Sequence, residues 1–191
     1  MKVIVQLLFF TLAFTTFSQS NTKICDYKIN METEEEIFKL TQESLAEFMV
    51  GNGQTVFMYF SLMKQGNIKS FVLHTSLNAV EMPPIICYND KSRVTFQLES
   101  GEFVSAPYLG EETCGRQSKG EESLNNMTSE GSFYLDDVSI KRLSNSPLNT
   151  MRITTMNTNF DVNFKKVISN EQIAKPIYPR EFFVENLSCI E

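Results

Sequence analysis

The sequence predicts a mainly β protein with a minor helical part: an antiparallel β-sandwich or a strongly curved sheet, with a helix at the C-terminus. Apolar residues run almost without interruption through 56–63, and a glycine-containing turn separates them from a second β-type run at 68–75. Residues 93–98 alternate apolar and polar side chains, which is the period of a half-buried strand. Pro179 then suits the first position of a closing helix.

The first 18 residues are predicted to be a secretory signal peptide. Lys2 supplies the positive charge, residues 3–14 form a short apolar stretch, and Thr16 and Ser18 are the small residues that precede a cleavage site. The apolar stretch is too short for a stable membrane-spanning helix. Cleavage leaves residues 19–191, a length typical of a single domain with one core. We therefore expect an exported protein that is periplasmic, attached to the cell surface or secreted.

The charge of the chain argues against two classes of partner. The formal net charge is −6, and the loss of Lys2 with the signal makes it −7. Nucleic-acid binding requires Lys and Arg to neutralise phosphates, and docking on anionic lipid requires a basic patch. We therefore expect no nucleic-acid partner. No second apolar run of spanning length follows the signal, so we expect no transmembrane segment, and the oligomeric state is left open.

Four cysteines remain after cleavage: Cys25, Cys87, Cys114 and Cys189. An even number in an exported chain favours disulfides, here two bridges with three possible connectivities. The preferred pairing joins Cys25 to Cys189, which ties the two ends together, and Cys87 to Cys114, which ties a polar loop to the sheet. Sequence does not determine connectivity, so buried thiols remain the alternative.

The segment that precedes the strands is ambiguous. Thr33 and Glu36 have the spacing of a helix capping box, and apolar residues follow at nearly helical intervals. The competing interpretation is an extended arm through residues 38–40. The sequence therefore leaves residues 33–50 open between helix and strand.

The strands of the first half follow from their patterns. The continuous apolar run at 56–63 predicts a central strand covered on both faces, with 68–75 as its hairpin partner. A short strand at 85–88 follows a proline pair. The alternating strand at 93–98 then forms a second hairpin with residues 103–106.

Residues 109–130 show no periodicity and carry five glutamates, which predicts a long polar loop anchored by Cys114. Order is expected to return at 132–135, followed by a short helix at 138–143 capped by Asp136 or Asp137. Two more strands are predicted at 151–156 and 160–164. The last helix has an apolar stripe made of Phe183, Leu187 and Ile190.

Several short stretches follow one another in a recognisable order. They are Cys25-Asp26-Tyr27-Lys28-Ile29-Asn30, Ser100-Gly101-Glu102, Phe133-Tyr134-Leu135-Asp136-Asp137, Met151-Arg152-Ile153 and Leu187-Ser188-Cys189-Ile190. In this layout, most of the chain resembles small, uncharacterised exported β-rich proteins of Gram-negative bacteria. The resemblance implies a periplasmic, surface or secreted location and carries over no activity, ligand or site residue.

The sequence predicts no catalytic, cofactor-binding or metal site. His74 is the single histidine, so any Ser-His-Asp or Cys-His mechanism would depend on it, and no G-x-S-x-G motif surrounds a serine. The acidic pairs Glu111-Glu112, Glu121-Glu122 and Asp136-Asp137 have the oxygen ligands that Ca²⁺ prefers. A solvated acidic surface is the favoured interpretation of these pairs.

We therefore expect an exported, non-catalytic module that binds another protein or an envelope component. One alternative is a carrier of a small apolar ligand in a β-cup, suggested by 16 Phe and nine Met. A second alternative is a hydrolase that uses two carboxylates across a cleft.

Overall fold

The computed structural model describes residues 24–51, 53–120, 124–169, 171 and 173–191. The signal peptide predicted at residues 1–18 lies outside the described residues. As predicted, the fold is mainly β, with antiparallel sheets and a helical segment at the C-terminus. Two sheets enclose the core, in the manner of a β-sandwich.

The described residues form the following strands and α-helices. In chain order they are β1 (Tyr27–Glu32), β2 (Ile37–Thr41), β3 (Ser44–Gly51), β4 (Gln54–Gln65), β5 (Ile68–Ala79), β6 (Cys87–Tyr88), β7 (Arg93–Leu98), β8 (Phe103–Pro107), β9 (Thr113–Cys114), β10 (Arg116–Ser118), β11 (Asn125–Tyr134), α1 (Asp137–Asn145), β12 (Leu148–Thr154), β13 (Asn159–Asn163) and α2 (Phe182–Asn186).

The larger sheet has seven strands in the order β1-β2-β4-β5-β11-β10, and β3 pairs with β4 beside β2. Its centre is the hairpin of β4 and β5, each 12 residues long. The hairpin loop contains Gly66 at φ +57°, a conformation that glycine adopts without steric cost. Because β2 and β3 pair in succession with the same edge of β4, the ambiguous segment is extended and not helical.

Thr33 and Glu36, the predicted capping box, instead close the turn between β1 and β2. The backbone N–H of Thr33 donates to the carbonyl of Glu36 at 2.9 Å, and the N–H of Glu36 donates to Oγ1 of Thr33 at 3.0 Å. The same side-chain-to-backbone bond that caps a helix also stabilises a turn. The helical option therefore fails because both flanking segments find strand partners.

The smaller sheet has four strands in the order β13-β12-β7-β8 and supplies the second layer. The alternation predicted for 93–98 is confirmed, since Val94, Phe96 and Leu98 are buried and their neighbours are not. A two-stranded ladder of β6 and β9 stands apart from both sheets. It places Cys87 directly opposite Cys114.

Aromatic rings join the two sheets and the C-terminal segment into one core. Phe71 of β5 lies 5.4 Å from Phe96 of β7 and 5.5 Å from Phe183 of α2, measured between ring centroids. Phe60 of β4 meets Phe71 edge to face at 4.8 Å. All four rings are buried, and such offset contacts add to the free energy gained from burying their area.

Both helical predictions have counterparts in the structure. Asp136 caps α1 by accepting a 2.7 Å hydrogen bond from the backbone N–H of Ser139, and this bond holds the pKa of its carboxyl below the usual value. The C-terminal segment is a 3-10 turn at Pro179–Glu181, then α2, then a 3-10 turn at Leu187–Ile190. Its predicted stripe of Phe183, Leu187 and Ile190 is buried.

The structure differs from the predicted polar loop at 109–130, because β9, β10 and the first half of β11 lie within it. The Asn- and Gly-containing sequence of β11 has low β propensity, but pairing with β5 along its whole length overrides that propensity. Glycine is required at Gly115, where a Cβ atom would stand 2.5 Å from the carbonyl oxygen of Thr128. The segment thus packs closely against β11. Glu121 and Glu122 lie outside the described residues.

The two preferred disulfides are present. Cys25 pairs with Cys189 and Cys87 with Cys114, at Cα–Cα distances of 5.6 Å and 4.0 Å. The described part of the chain contains no free cysteine, which fits an oxidising compartment. None of its helices has the length and apolar character that crossing a bilayer demands.

Candidate functional site

The outer face of the seven-stranded sheet is apolar along one half. The prediction that residues 56–63 are covered on both faces is wrong, because two aromatic side chains of this strand point outward and are only partly buried. Alternate residues of β4 point to opposite faces, and Met58, Phe60 and Leu62 are buried in the core. Phe57 and Tyr59 therefore point outward, and both are only partly buried. In an antiparallel sheet with one solvated face, these outward positions are ordinarily polar.

Strand pairing extends this surface across four strands. Phe48 of β3 lies opposite Phe57, Leu40 of β2 lies opposite Met63, and Ile29 of β1 lies opposite Leu40. Residues directly opposite each other in an antiparallel pair share a face. We call this surface the apolar stripe and define it by Ile29, Met31, Phe38, Leu40, Phe48, Phe57, Tyr59 and Met63.

The aromatic side chains of the stripe contact one another and are partly exposed to solvent. The ring centroids of Phe48 and Phe57 are 5.1 Å apart, and those of Phe57 and Tyr59 are 6.4 Å apart. At the other end, Ile29 and Met31 are each 44% exposed. An apolar surface that is rimmed by polar groups marks an interaction site far more often than isolated exposed apolar residues do.

A small group of charged residues lies in the middle of the stripe. Oε1 of Glu43 is 3.5 Å from Nδ1 of His74 and 3.7 Å from Nζ of Lys28. His74 also lies against the ring of Tyr59, at 5.8 Å between centroids. On the next strand, Glu130 is directly opposite His74. The two carboxylates and one ammonium give this region a formal charge of −1 with His neutral, in a chain whose net charge is −6.

The described residues form no catalytic arrangement around His74. Its Nδ1 is buried and forms no hydrogen bond with any described residue, and no serine or threonine hydroxyl bonds to the ring. A nucleophilic mechanism requires a hydroxyl or thiol within hydrogen-bond reach of the base. A Cys-His pair is not available among the described residues, because their cysteines are all in disulfides and supply no thiol.

The outer face of the four-stranded sheet has the opposite character. Cross-strand pairs there are hydrogen-bonded: Thr95 with Ser105 at 3.2 Å, and Thr150 to Gln97 at 3.2 Å. The guanidinium of Arg152 donates two 2.7 Å hydrogen bonds to Asp161 and holds the pKa of that carboxyl below its usual value. This face satisfies its own polar groups, as expected of a surface that meets only water.

Phe103 interrupts that polar face. It is 61% exposed at the start of β8 and stands beside Gln97, its partner in the register. A single exposed phenylalanine is normal on a protein surface. It therefore offers a natural control for the aromatic residues of the stripe.

One border of the stripe is the free edge of β3. This strand pairs with β4 along one side, and the structure places no described strand along the other. Lys165 partly blocks the edge by donating from Nζ to the carbonyl of Phe48 at 2.9 Å and to Oε1 of Glu47 at 2.8 Å. A charged residue at an exposed edge is a common protection against uncontrolled strand pairing.

The two acidic pairs that the structure describes, Glu111-Glu112 and Asp136-Asp137, do not come together in a cluster. Asp136 caps α1, and Asp137 forms an ion pair with Lys69 at 3.3 Å, while Glu111 and Glu112 are exposed beyond β8. Among the described residues, no group of three or more His, Cys, Asp or Glu side chains is placed to hold a metal ion. In the structure these acids cap, pair or meet solvent.

Sequence reasoning predicted β4 as a strand but left the segment of β2 and β3 open between helix and strand, and it did not identify the stripe. The available signal was the unbroken apolar run at 56–63, because a strand with one solvated face alternates and this one does not. No protein-family model matches the chain, and no curated protein matches it.

Proposed function

We propose that the protein is an exported, non-catalytic binding module and that the apolar stripe is its docking surface for another protein. The observation that carries the proposal is the contrast between the two outer faces: one pairs its polar groups with each other, and the other leaves aromatic and aliphatic side chains only partly buried. Exposing such a surface to water is unfavourable by about 25 cal/mol for each Å² of apolar area. A partner that covers the stripe regains this free energy.

The chemistry of the stripe favours a protein surface over a membrane. Phe48, Phe57, Tyr59 and two methionines are residue types enriched at the centres of protein interfaces. Anionic lipid requires a cluster of cations, whereas the charges within the stripe are Lys28 against Glu43. The partner surface that fits is apolar and carries few charges.

Export rests on two supports. The predicted signal at residues 1–18 directs the chain out of the cytoplasm. The disulfides Cys25–Cys189 and Cys87–Cys114 persist where thiols are oxidised. We propose that the partner is met in the periplasm, at the cell surface or outside the cell.

Site-specific photo-crosslinking in the source cell tests the docking surface. Incorporation of p-benzoylphenylalanine at position 57 is expected to give one discrete adduct with a second, different protein. The same substitution at position 103, on the opposite sheet, is expected to give none, although Phe103 is well exposed. Adducts at both positions, at neither, or only with a second copy of this chain would contradict a specific heterologous partner.

A further inference from the structure

A pocket opens between the two sheets at the end that carries the β3–β4 turn. The inward side chains of three paired strands form one wall, since Met49 lies opposite Val56 and Val56 lies opposite Leu77. The volume is about 210 Å³. The lining includes Met49, Val56, Met58, Thr75, Leu77 and Ile86.

The opposite wall of the pocket includes Ile86 and Phe160. It is held in place by hydrogen bonds between groups outside the pocket. Asn157 donates from Nδ2 to the carbonyl of Ile85 at 2.6 Å, and Met156 donates its backbone N–H to the carbonyl of Cys87 at 2.8 Å. The disulfide to Cys114 fixes the same segment. The pocket is therefore preformed, which reduces the ordering cost of binding.

Two threonines, Thr75 and Thr158, interrupt the apolar lining. Thr75 faces inward beside Met58, is fully buried, and its hydroxyl forms no hydrogen bond with any described residue. An unpaired hydroxyl in an apolar wall is costly, and valine would fill the same volume without that cost. A ligand in the pocket that bonds to Thr75 would satisfy this hydroxyl.

The size of the pocket limits the ligand. A cavity of about 150 Å³ lined by apolar side chains accepts benzene, whereas sites for drug-sized molecules begin at about 300 Å³. The volume here therefore suits one substituted ring or a short chain. The mouth is lined by Met49, whose flexible side chain is 38% exposed and can move aside for entry.

We propose that this pocket binds a small apolar molecule that carries one hydroxyl group, such as a monocyclic phenol. The ring lies between Val56, Leu77 and Ile86, and the hydroxyl bonds to Thr75. The site is on the inner side of the sheet whose outer side carries the apolar stripe. It is therefore independent of the proposed partner, and either site can fail without the other.

The test uses two probes of matched shape, p-cresol and p-xylene, which differ by one hydroxyl. Methyl NMR of methionine-labelled protein is expected to show saturable shifts of Met49 and Met58 with p-cresol. Thr75→Val is expected to weaken the affinity for p-cresol about fivefold relative to the affinity for p-xylene, because one hydrogen bond usually contributes about that much. Thr95→Val, on the polar face of the other sheet, is expected to change neither affinity.

Two results would overturn the proposal. If neither probe shifts Met49 and Met58 up to its solubility, the pocket is a packing void and not a site. If Thr75→Val weakens both probes equally or neither, the hydroxyl does not select the ligand. Val56→Phe places a ring in the pocket and serves as the second variant, because binding of either probe that survives it lies elsewhere.

Discussion

Glu47 is a carboxylate on the core side of β3, with its side chain only 3% exposed. Its Oε1 accepts hydrogen bonds from Nζ of Lys165 at 2.8 Å and from the backbone N–H of Phe48 at 2.9 Å. Its Oε2 is buried and forms no hydrogen bond with any described residue. The ammonium of Lys165 therefore compensates the buried negative charge of Glu47.

Lys165→Met is expected to lower the free energy of unfolding by about 2 kcal/mol, because it leaves the carboxylate of Glu47 buried without its cation. Urea denaturation measures this change. Lys166→Met, at an exposed neighbouring position, is the control and is expected to have almost no effect. In a Glu47→Gln background the cost of Lys165→Met should largely disappear, and an undiminished cost there would show that the ion pair is not its source.

Tyr88 gives the molecule a defined response to alkaline pH. Burial raises the pKa of its phenol to about 12 from the ordinary value of 10.0. The raised pKa stabilises the folded state below pH 10, and that contribution is lost as the pH rises from 10 towards 12. Tyr88→Phe is expected to shift alkaline unfolding to higher pH, and pH-dependent circular dichroism measures the midpoint.

Tyr134→Phe is the control for that shift, since Tyr134 is 42% exposed on β11. It is expected to leave the alkaline midpoint unchanged. Equal midpoints for the wild type and Tyr88→Phe would mean that the phenol does not govern alkaline unfolding. At neutral pH, Tyr88→Phe is expected to change the free energy of unfolding by less than about 1 kcal/mol. The reason is that the hydroxyl is buried and forms no hydrogen bond with any described residue.

The disulfides act on whole elements and differ in what they restrain. Cys25–Cys189 joins positions 164 residues apart, so it restrains nearly the whole described chain, whereas Cys87–Cys114 closes a span of 27. In the chain-entropy description, the long loop contributes about 5 kcal/mol and the short one about 3.5 kcal/mol. The long-range bridge should therefore matter more for global stability.

The double substitution Cys25→Ser/Cys189→Ser is expected to lower the urea midpoint more than Cys87→Ser/Cys114→Ser does. The second pair should instead loosen β9 and the segment around it, measured as faster amide exchange at residues 113–118. A larger global loss from the second pair would show that native contacts, and not loop closure, set the contribution of each bridge.

The elements also show what the sequence could and could not predict. Strand β7 follows its alternation residue for residue, because Val94, Phe96 and Leu98 sit on a buried face and their neighbours on a solvated one. Strand β11 was missed from 125 to 131 because Gly131 and the asparagines disfavour strands. The structure explains Gly131, since a Cβ there would stand 3.1 Å from the rings of Phe133 and Tyr88.

At the scale of the whole molecule, the two outer faces divide the surface into unlike halves. The apolar stripe is assembled from β1, β2, β3 and β4, so it exists only once their register is fixed. An apolar run in the sequence does not reveal whether the outer face of the resulting strand is covered by this chain or by another protein. For the same reason, sequence could not show that Thr75 closes a pocket between the sheets.

The most direct test begins with purification of the partner that the crosslinking identifies. Its affinity is then measured for three forms of the protein: wild type, Phe57→Ser and Phe103→Ser. Truncation of an aromatic anchor at the centre of an interface typically costs 2 kcal/mol or more, which is about a 30-fold loss of affinity. We expect a loss of that order for Phe57→Ser and less than about a twofold change for Phe103→Ser. Equal affinities for all three forms, or a larger loss for Phe103→Ser, would contradict the assignment of the stripe as the docking surface.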